Sequence, residues 1–308
     1  MIVAVGYANL DLLVSVPALP EPGERVHASS IERRSGGMAA NAAAAAGRFG
    51  ARVAFVGAVG RDADGRTLLD GLSACGVDVD ATVTDRWTST AVILVAPDGQ
   101  RAIISQDDAV GPAEVRRALE RLVPGGGFLY VDGYRWPWAA DHLAHLPPGV
   151  QVVVDLDGLA DAAALPRVAK VAAHLVASRA HLADLLCGKD PEAVASLLAG
   201  THDVTVVLTD GARGWWLTDG TSTSQGPALP AATVDTTGAG DAFCGVYAAA
   251  LDAGADPTKA AELAAAAAAI STTARGARGA LATRNDAEAL LAAATTPAGE
   301  PPPENRKG

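Results

Sequence analysis

The sequence predicts an α/β protein: an open, doubly wound, mostly parallel sheet with helices on both faces, accompanied by a small separate β-sheet. Three observations lead there. Continuous apolar runs ending in Gly, Asp or Ser alternate with alanine-rich stretches of helical length, as strands buried on both faces alternate with their covering helices. Two other stretches are strand-like and have no helix to cover them. The chain has 308 residues, 49% of them hydrophobic, enough for one large domain or two small ones.

The strand candidates, in order, are "IVAVG", "VAFVGAVG", "FLYVDG", "VQVVVDLDG", "HLVAS" and "VTVVLTDG". Between them the spacing predicts helices over Met38–Phe49, closed by Gly50, and Gly65–Cys75, closed by Gly76. Two more are predicted over Pro112–Leu122 and over Pro191–Ala199, the latter closed by Gly200. Ligands on such sheets bind at the carboxyl ends of the strands, where the Gly, Asp and Ser residues collect. The uncovered stretches are Leu12–Arg34 and Ser89–Gln106, the second with Asp98-Gly99 between two alternating runs, a hairpin signal. They read as a flap over the mouth of the main sheet. The expected organisation is one domain over residues 1–294, with lid segments at about 12–34 and 86–107. The Pro-rich, polar tail, residues 295–308, is expected to be disordered.

A net charge of −11 argues against nucleic acid or an anionic membrane as the main partner, although local N–H groups or arginines can still bind phosphate. Cys75, Cys187 and Cys244 are scattered, with no C-x-x-C pair, which fits a reduced cytoplasmic protein without disulfides or zinc. "MIVAVGYANLD" lacks the basic start of a signal peptide, and "LAAAAAAI" (Leu263–Ile270) is too short to span a bilayer. A soluble cytoplasmic protein is expected.

The chemistry concentrates in "VDTTGAGDAFCG", Val234–Gly245. After Asp241, the apolar residues Phe243, Val246, Tyr247, Ala250 and Leu251 fall at i, i+3, i+4, i+7 and i+8, one face of a helix ending near Gly254. Gly238-Ala239-Gly240 is then the turn into that helix. Its free N–H groups and the positive end of the helix dipole suit an anion, and glycines let it approach closely. A carboxylate in the first turn can merely satisfy the dipole. Beside an anion hole, however, Asp241 would repel a bound phosphate unless a hydroxyl or a metal lay between them. Phosphoryl transfer needs that combination: donors for the charge on the transferred group, and a base for the acceptor's proton. With an unperturbed pKa of about 3.9, Asp241 would be ionised at neutral pH without tuning. The rival phosphate loop "GRDADGRT" (Gly60–Thr67) has Arg66 in place of the lysine, and Asp62 and Asp64 oppose a triphosphate, so it reads as a structural turn. "GAGDAF" puts Phe243 at the third glycine of a dinucleotide motif, which excludes that use.

"DTTGAGDAF" resembles the C-terminal signature of the ribokinase-like (PfkB) carbohydrate kinases. "SGGMAANAAAAAGRFGARVAFVGAVGRDADG" (Ser35–Gly65) resembles their N-terminal signature, and the opening "VGYANLDLLVSVPALPEPGE" matches as well. The resemblance runs from about residue 2 to 290. It implies a ribokinase-like three-layer fold with a small β-sheet lid. It further implies phosphorylation of a primary hydroxyl of a sugar or similar polyol, with ATP and Mg²⁺ and, in many members, K⁺. Asp241 would be the base and Gly238, Ala239 and Gly240 the anion hole. Asp11, read as ending the first strand, would hold a sugar hydroxyl, and Gly36 and Gly37 would bring backbone against the sugar. Asn41, polar on an alanine-rich helix, needs a partner, either a substrate hydroxyl, the favoured reading, or an internal bond. Thr209, Gly211 and Gly214 in "LTDGARG" resemble the segment where ATP docks. "TTARGARGA" (Thr272–Ala280), with Gly276, resembles the adenine-side loop, and the family's monovalent-cation site falls on Asp235 and Thr237, the latter also beside the nucleotide.

Two departures stand out. The family's Asn-x-x-Glu, which organises magnesium, falls on Ser178-Arg179-Ala180-His181. Histidine suits Mg²⁺ poorly, so Asp155 and Asp157 are the alternatives. Arg135, in "VDGYRWPW" (Val131–Trp138), lies where many relatives contact the sugar. A guanidinium there suits a carboxylate, phosphate or sulfonate, while simple solvent exposure is the plain alternative. With its neighbouring Trp and Ser178 it resembles the sulfofructose kinase branch, which makes an anionic sugar such as 6-deoxy-6-sulfofructose one candidate substrate. Two other readings stand beside a sugar kinase. A nucleoside kinase would need an aromatic platform for the base, and only Trp87 lies near the flap. A non-catalytic sugar sensor would have no need of Asp241. His27, His142, His145, His174 and His202 read as ordinary loop or surface residues, Trp215-Trp216 as core. The exposed edges of the lid are expected to pair in a homodimer.

Overall fold

The computed structural model describes residues 1–84, 87–98, 100–106, 111–121, 126–136, 143 and 146–295. Gly99, Trp138, His142, His145 and residues 296–308, which carried expectations above, lie outside the described residues. In chain order the elements are β1 (Ile2–Val5), β2 (Asn9–Ser15), β3 (Ser30–Gly36), α1 (Met38–Phe49), β4 (Val53–Val56), α2 (Ala63–Ala74), β5 (Val77–Asp78), β6 (Ser89–Val95), β7 (Arg101–Ser105), α3 (Pro112–Glu120) and β8 (Gly127–Asp132). They continue with β9 (Val150–Asp155), α4 (Leu165–Val171), β10 (His174–Ser178), α5 (Arg179–Leu185), α6 (Pro191–His202), β11 (Thr205–Thr209), β12 (Trp215–Thr218), β13 (Thr223–Gly226), α7 (Ala239–Asp252), α8 (Pro257–Ser271) and α9 (Arg284–Thr295).

Nine strands form one sheet in the order β13-β12-β11-β10-β9-β8-β1-β4-β5. Every pairing from β5 to β11 is parallel, and β12 and β13 close that edge antiparallel. Because side chains alternate along a strand, Ile2 and Ala4 of β1 face one core while Val3 and Val5 face the other. The first core holds α1, α2, α7 and α8, and the second holds α4 and α6 together with Ala118 of α3 and Leu182 of α5. Three layers result, as expected. On the first face α1 and α7 are buried along most of their length, and their seam is built of alanine and glycine. Small residues allow the two backbones to approach closely, and this closeness later joins Asn41 to Asp241.

The uncovered stretches do form a separate sheet, in the order β3-β2-β6-β7. Its outer pairs are antiparallel and its central pair, β2 with β6, is parallel from Asn9↔Ser89 to Ser15↔Val95. The sheet starts earlier than the sequence suggests. Asp11 does not end the first strand of the large sheet; it lies within β2, paired with Arg34 of β3. An apolar run broken by Gly6, Tyr7 and Ala8 hides this change of sheet.

Helix ends also differ. α2 begins at Ala63 because the Asp62 side chain accepts from Gly65 N at 2.7 Å and caps it, which is the structural use of the "GRDADGRT" turn. α3 ends at Glu120. α6 runs through Gly200 to His202 and ends at Asp203 in the left-handed region (φ 52°). Gly200 has open space where its own Cβ would be; the tight position is Gly220, in the β12–β13 turn, where a Cβ would lie 2.6 Å from the Gly200 nitrogen. β13 escaped notice because "TSTSQG" has no apolar run, while β12, "WWLT", read only as core. Trp215 is buried and Trp216 partly buried, both packed in the cores. His174 is no surface residue. It is buried, its Nδ1 lies 3.0 Å from the Tyr247 hydroxyl, and burial lowers its pKa to about 4.

Candidate active site

The parallel strands end along one rim, and the residues that follow them gather there. Thr209 ends β11, Ser178 ends β10, Asp155 ends β9 and Asp157 follows it. They line one cleft with Met38, Gly238, Gly240, Asp241 and Cys244. The far wall is the start of α7. Gly238 caps that helix in the left-handed region (φ 76°), and a Cβ there would run into Ala277. Only glycine meets both demands. Gly240 has open space where a Cβ would be, so the backbone faces the cleft bare. Of the three residues expected to form an anion hole, Ala239 is turned away: its N–H donates to the Thr236 carbonyl at 3.2 Å. The N–H groups of Gly240 and Asp241 take no backbone acceptor among the described residues, as helix geometry requires of a first turn.

Asp241 sits in that first turn, half-buried at the cleft wall. Burial raises its pKa to about 6, with the nearby Asp157 and Asp11 charges adding to the rise and the Asn41 hydrogen bond and Arg278 charge opposing it. The carboxylate is therefore tuned, contrary to the expectation of an ordinary value. Asn41 donates from Nδ2 to Asp241 Oδ2 at 2.8 Å, and its Oδ1 accepts from Arg278 Nε at 2.8 Å. The amide thus makes internal bonds at both ends, with one N–H to spare.

Arg278 was not singled out in the sequence. Its neighbours in "TTARGARGA" are small, and an arginine beside glycines usually marks an exposed loop. Here the guanidinium lies inside: burial lowers its pKa to about 10, still fully charged at neutral pH, with Asp241 and Asp11 among the charges that hold it up. Its Nη2 donates to the Gly36 carbonyl at 3.2 Å. Gly36 in turn rests on the Asp11 carboxylate, where a Cβ would collide. Burial raises the Asp11 pKa, against Asn9, which donates to Asp11 Oδ1 at 2.6 Å, and against the Arg278 charge. Gly37 (φ 99°) presses on the Tyr7 carbonyl. Asp11, Gly36, Asn41 and Asp241 are thus joined through Arg278.

The second loop set lies beside this group. Asp235 accepts from Thr237 N at 2.9 Å and Gly276 N at 2.8 Å. Burial pushes its pKa up, but these N–H donors outweigh that and hold the carboxyl below its ordinary value. Each oxygen keeps a second lone pair, so the donor set fits a monovalent cation. Gly211 (φ 52°) is open around its Cα, whereas a Cβ on Gly214 would overlap the Gly226 carbonyl, which gives Gly214 a packing role.

Ser178 caps α5, its Oγ accepting from His181 N at 3.2 Å, so the Ser-Arg-Ala-His segment serves as a helix start. Asp157 Oδ1 accepts from Ser178 N at 2.9 Å. Asp155 is buried, takes bonds from Tyr130 and Asp157 N, and has its pKa pushed well up, first by burial and then by the Asp157 and Asp241 charges. These are oxygen donors, and Mg²⁺ characteristically takes one or two carboxylates with phosphate oxygens and water, so the cleft fits it. No cluster of three His, Cys, Asp or Glu ligands is preassembled among the described residues.

Arg135 departs from its expected setting. It is only 7% exposed, lies outside the residues that line the cleft, sits 3.6 Å from Asp132 through Nε and stacks over the Tyr7 ring at 5.7 Å. Tyr7 also meets Tyr134 edge-on.

The model of the pfkB family of carbohydrate kinases matches residues 1–284. The chain is 32% identical to a ribokinase of Bacillus subtilis (strain 168) over 94% of its own length and 99% of that protein. It superposes with a TM-score of 0.76 on the structure of Arabidopsis thaliana ribokinase complexed with ribose and ATP, at 27% identity, covering 94% of this chain and 98% of the other. A nucleoside kinase of Methanothermobacter thermautotrophicus is 31% identical over 99 residues, 32% of each chain.

Proposed function

Since the chain belongs to the pfkB family of carbohydrate kinases, we propose that it transfers the terminal phosphoryl group of ATP to a primary hydroxyl of a neutral sugar, with ribose the first candidate. The observation that carries this reading is the Asp241 carboxylate. Asn41 occupies one of its oxygens, leaving the other for an acceptor hydroxyl, and the bare Gly240 backbone opens on the same cleft.

In this reading the sugar lies against Gly36 and Gly37, with Asp11 accepting from its hydroxyls. Asp241 orients the reacting hydroxyl and takes its proton, a role that typically contributes 10²–10⁴-fold. The N–H groups of Gly240 and Asp241, at the positive end of α7, meet the charge on the transferring group. ATP would lie along Thr209 and Gly211 toward Thr237 and Gly276. Asp157 and Ser178 would face the phosphates, where Mg²⁺ would neutralise charge. Asp235 and Thr237 are the proposed K⁺ site. The small sheet would act as a lid over the sugar, and its exposed Ile31, Ile103 and Ile104 suit pairing with a second copy. Three unpaired cysteines suit a cytoplasmic setting, and among the described residues no helix is long and apolar enough to cross a membrane.

An anionic sugar such as 6-deoxy-6-sulfofructose is the weaker reading, because Arg135 spends its charge beside Asp132. A nucleoside is favoured by one observation, the Tyr7–Tyr134 aromatic pair near the rim. The deciding experiment measures ADP formation with ribose, fructose, the sulfosugar and nucleosides, and locates the new phosphate ester by ³¹P NMR. A ribose ester at the primary carbon is expected. Turnover with nucleosides alone would transfer the assignment to them, and turnover with none would end the kinase reading.

A further inference from the structure

The Asn41 amide stands between two groups that each allow one orientation only. A guanidinium has donors and no acceptor, and an ionised carboxylate has acceptors and no donor. With Arg278 Nε 2.8 Å from Oδ1 and Asp241 Oδ2 2.8 Å from Nδ2, the amide is held with its oxygen toward the arginine. Without Arg278 the buried Asn41 oxygen loses its donor. Turning the amide over would set a carbonyl oxygen against the carboxylate.

Arg278 also joins parts of the site that come from distant stretches of chain. It stands on the 272–280 loop, which touches the catalytic turn through Ala277 against Gly238 and reaches Asp235 through Gly276 N. Its Nη2 reaches the Gly36 carbonyl at the end of β3, in the small sheet. The same loop is strapped to β3 nearby: Arg34 Nη1 donates to the Arg275 carbonyl at 3.4 Å, and Arg275 pairs with Glu32 at 3.7 Å.

We propose that Arg278 is a positioning residue for phosphoryl transfer: it fixes the Asn41 amide that orients Asp241 and ties the sugar-side Gly36 turn to the nucleotide-side loop. The proposal rests on the sugar kinase reading for its catalytic meaning, but the clamp itself is a property of the folded chain. Arg278 touches no reacting atom; it acts through Asn41 and Gly36. Its loss should therefore strike turnover and sugar affinity together, and leave ATP affinity nearly untouched. A residue that merely stabilised the fold would lower the amount of active protein without this asymmetry.

The test compares the parent, Arg278→Met and Arg278→Lys. Met keeps much of the stem and removes every donor. Lys keeps the charge and one donor site. Steady-state kinetics with ribose and ATP should give a kcat for Arg278→Met at least about tenfold lower, the scale on which small misplacements in a site act. The sugar KM should rise and the ATP KM stay within about threefold. Lys should recover part of the loss. Independently of turnover, the ¹⁵N–¹H signal of the Asn41 side-chain amide should move in Arg278→Met and stay near its parental position in Arg278→Lys. An unmoved Asn41 amide in Arg278→Met, or a kcat within twofold of the parent, overturns the proposal. If Arg278→Met fails to fold, the Lys variant decides by its kinetics: with only part of the loss recovered, kcat should stay below and sugar KM above the parental values, and both unchanged would equally overturn it. If the parent itself phosphorylates no sugar, the kinase reading falls, while the amide signal still decides whether the clamp exists.

Discussion

Gly245 of α7 lies against Ala42 of α1 so closely that a methyl at Gly245 would overlap the Ala42 carbonyl oxygen and carbon. Each residue is near a functional neighbour on its own helix: Asn41 precedes Ala42, and Asp241 lies one turn before Gly245. The seam thus sets the separation across which Asn41 reaches Asp241. Gly245→Ala should push the helices apart, cost about 1–3 kcal/mol as an overpacked site does, and lower kcat by more than the loss of folded protein accounts for. Gly71→Ala in α2, where a new Cβ would stand 4.0 Å from its nearest neighbour, Arg278 Nη1, should be neutral or stabilise by a few tenths to about 1 kcal/mol. Urea unfolding and turnover on both variants check the contrast. Equal behaviour would remove the seam from the account of the site.

Asp241 must be ionised to take a proton, and its pKa of about 6 places the acid limb of activity well above the range of an ordinary carboxylate. Below about pH 6, kcat/KM for the sugar should fall roughly tenfold per pH unit. Asp241→Asn should lower kcat at least about a hundredfold with ATP affinity kept. A flat profile down to pH 5, or activity within threefold in the Asn variant, would remove Asp241 as the base.

The same carboxylate costs stability. Its folded pKa of about 6 lies above the ordinary 3.8, so the native state holds the proton more tightly than the unfolded chain. The stability this proton contributes is present below about pH 4 and is lost as pH rises through 6. At 1.36 kcal/mol per pH unit the loss by pH 8 is on the order of 2–3 kcal/mol. Asp241→Asn cannot ionise and escapes it. The variant should unfold at higher denaturant than the parent at pH 8, with the gap closing at pH 4. A gap of the same size at both pH values would mean that ionisation is not its source.

Arg135→Met removes the cation beside the buried Asp132. Breaking a buried pair from one side typically costs 3–5 kcal/mol, so the variant should melt earlier. Whatever turnover remains should fall equally for neutral and anionic sugars. A selective loss on a sulfonated or phosphorylated sugar would restore Arg135 as a substrate contact.

Closure of the small sheet should appear as slowed hydrogen exchange in β2, β3, β6 and β7 when sugar and nucleotide are both bound, because closure excludes water from the transferring group. Exchange unchanged at saturation would leave the sheet a static wall.

Much of this architecture was legible because parallel strands buried on both faces write themselves as unbroken apolar runs. β1, β8, β9, β10 and β11 all did so. The glycine turn into α7 was legible for another reason: glycines, a carboxylate and an amphipathic helix are contiguous there. What stayed hidden depended on contacts between distant segments. Gly220 carried no signal, and only the backbone of Gly200, against which a Cβ would collide, explains it. Arg135 read as a contact for an anionic substrate, with a solvent-exposed charge as the alternative, until Asp132 and Tyr7 were beside it. Arg278 had no local signal at all, since its partners lie more than 200 residues earlier.

The pairing of α1 with α7 has a temporal consequence. Every strand of both sheets ends by Gly226 in the chain, ahead of α7 and Asp241. A nascent chain that has emerged only as far as Gly226 can build both sheets and the helices up to α6, yet the alanine flank of α1 stays open to water and to other chains. Such long-range closure is slow and exposes sticky surface while it waits. Ribosome-bound intermediates of this length are therefore where chaperone dependence should concentrate, and catalytic competence arrives in a single late step.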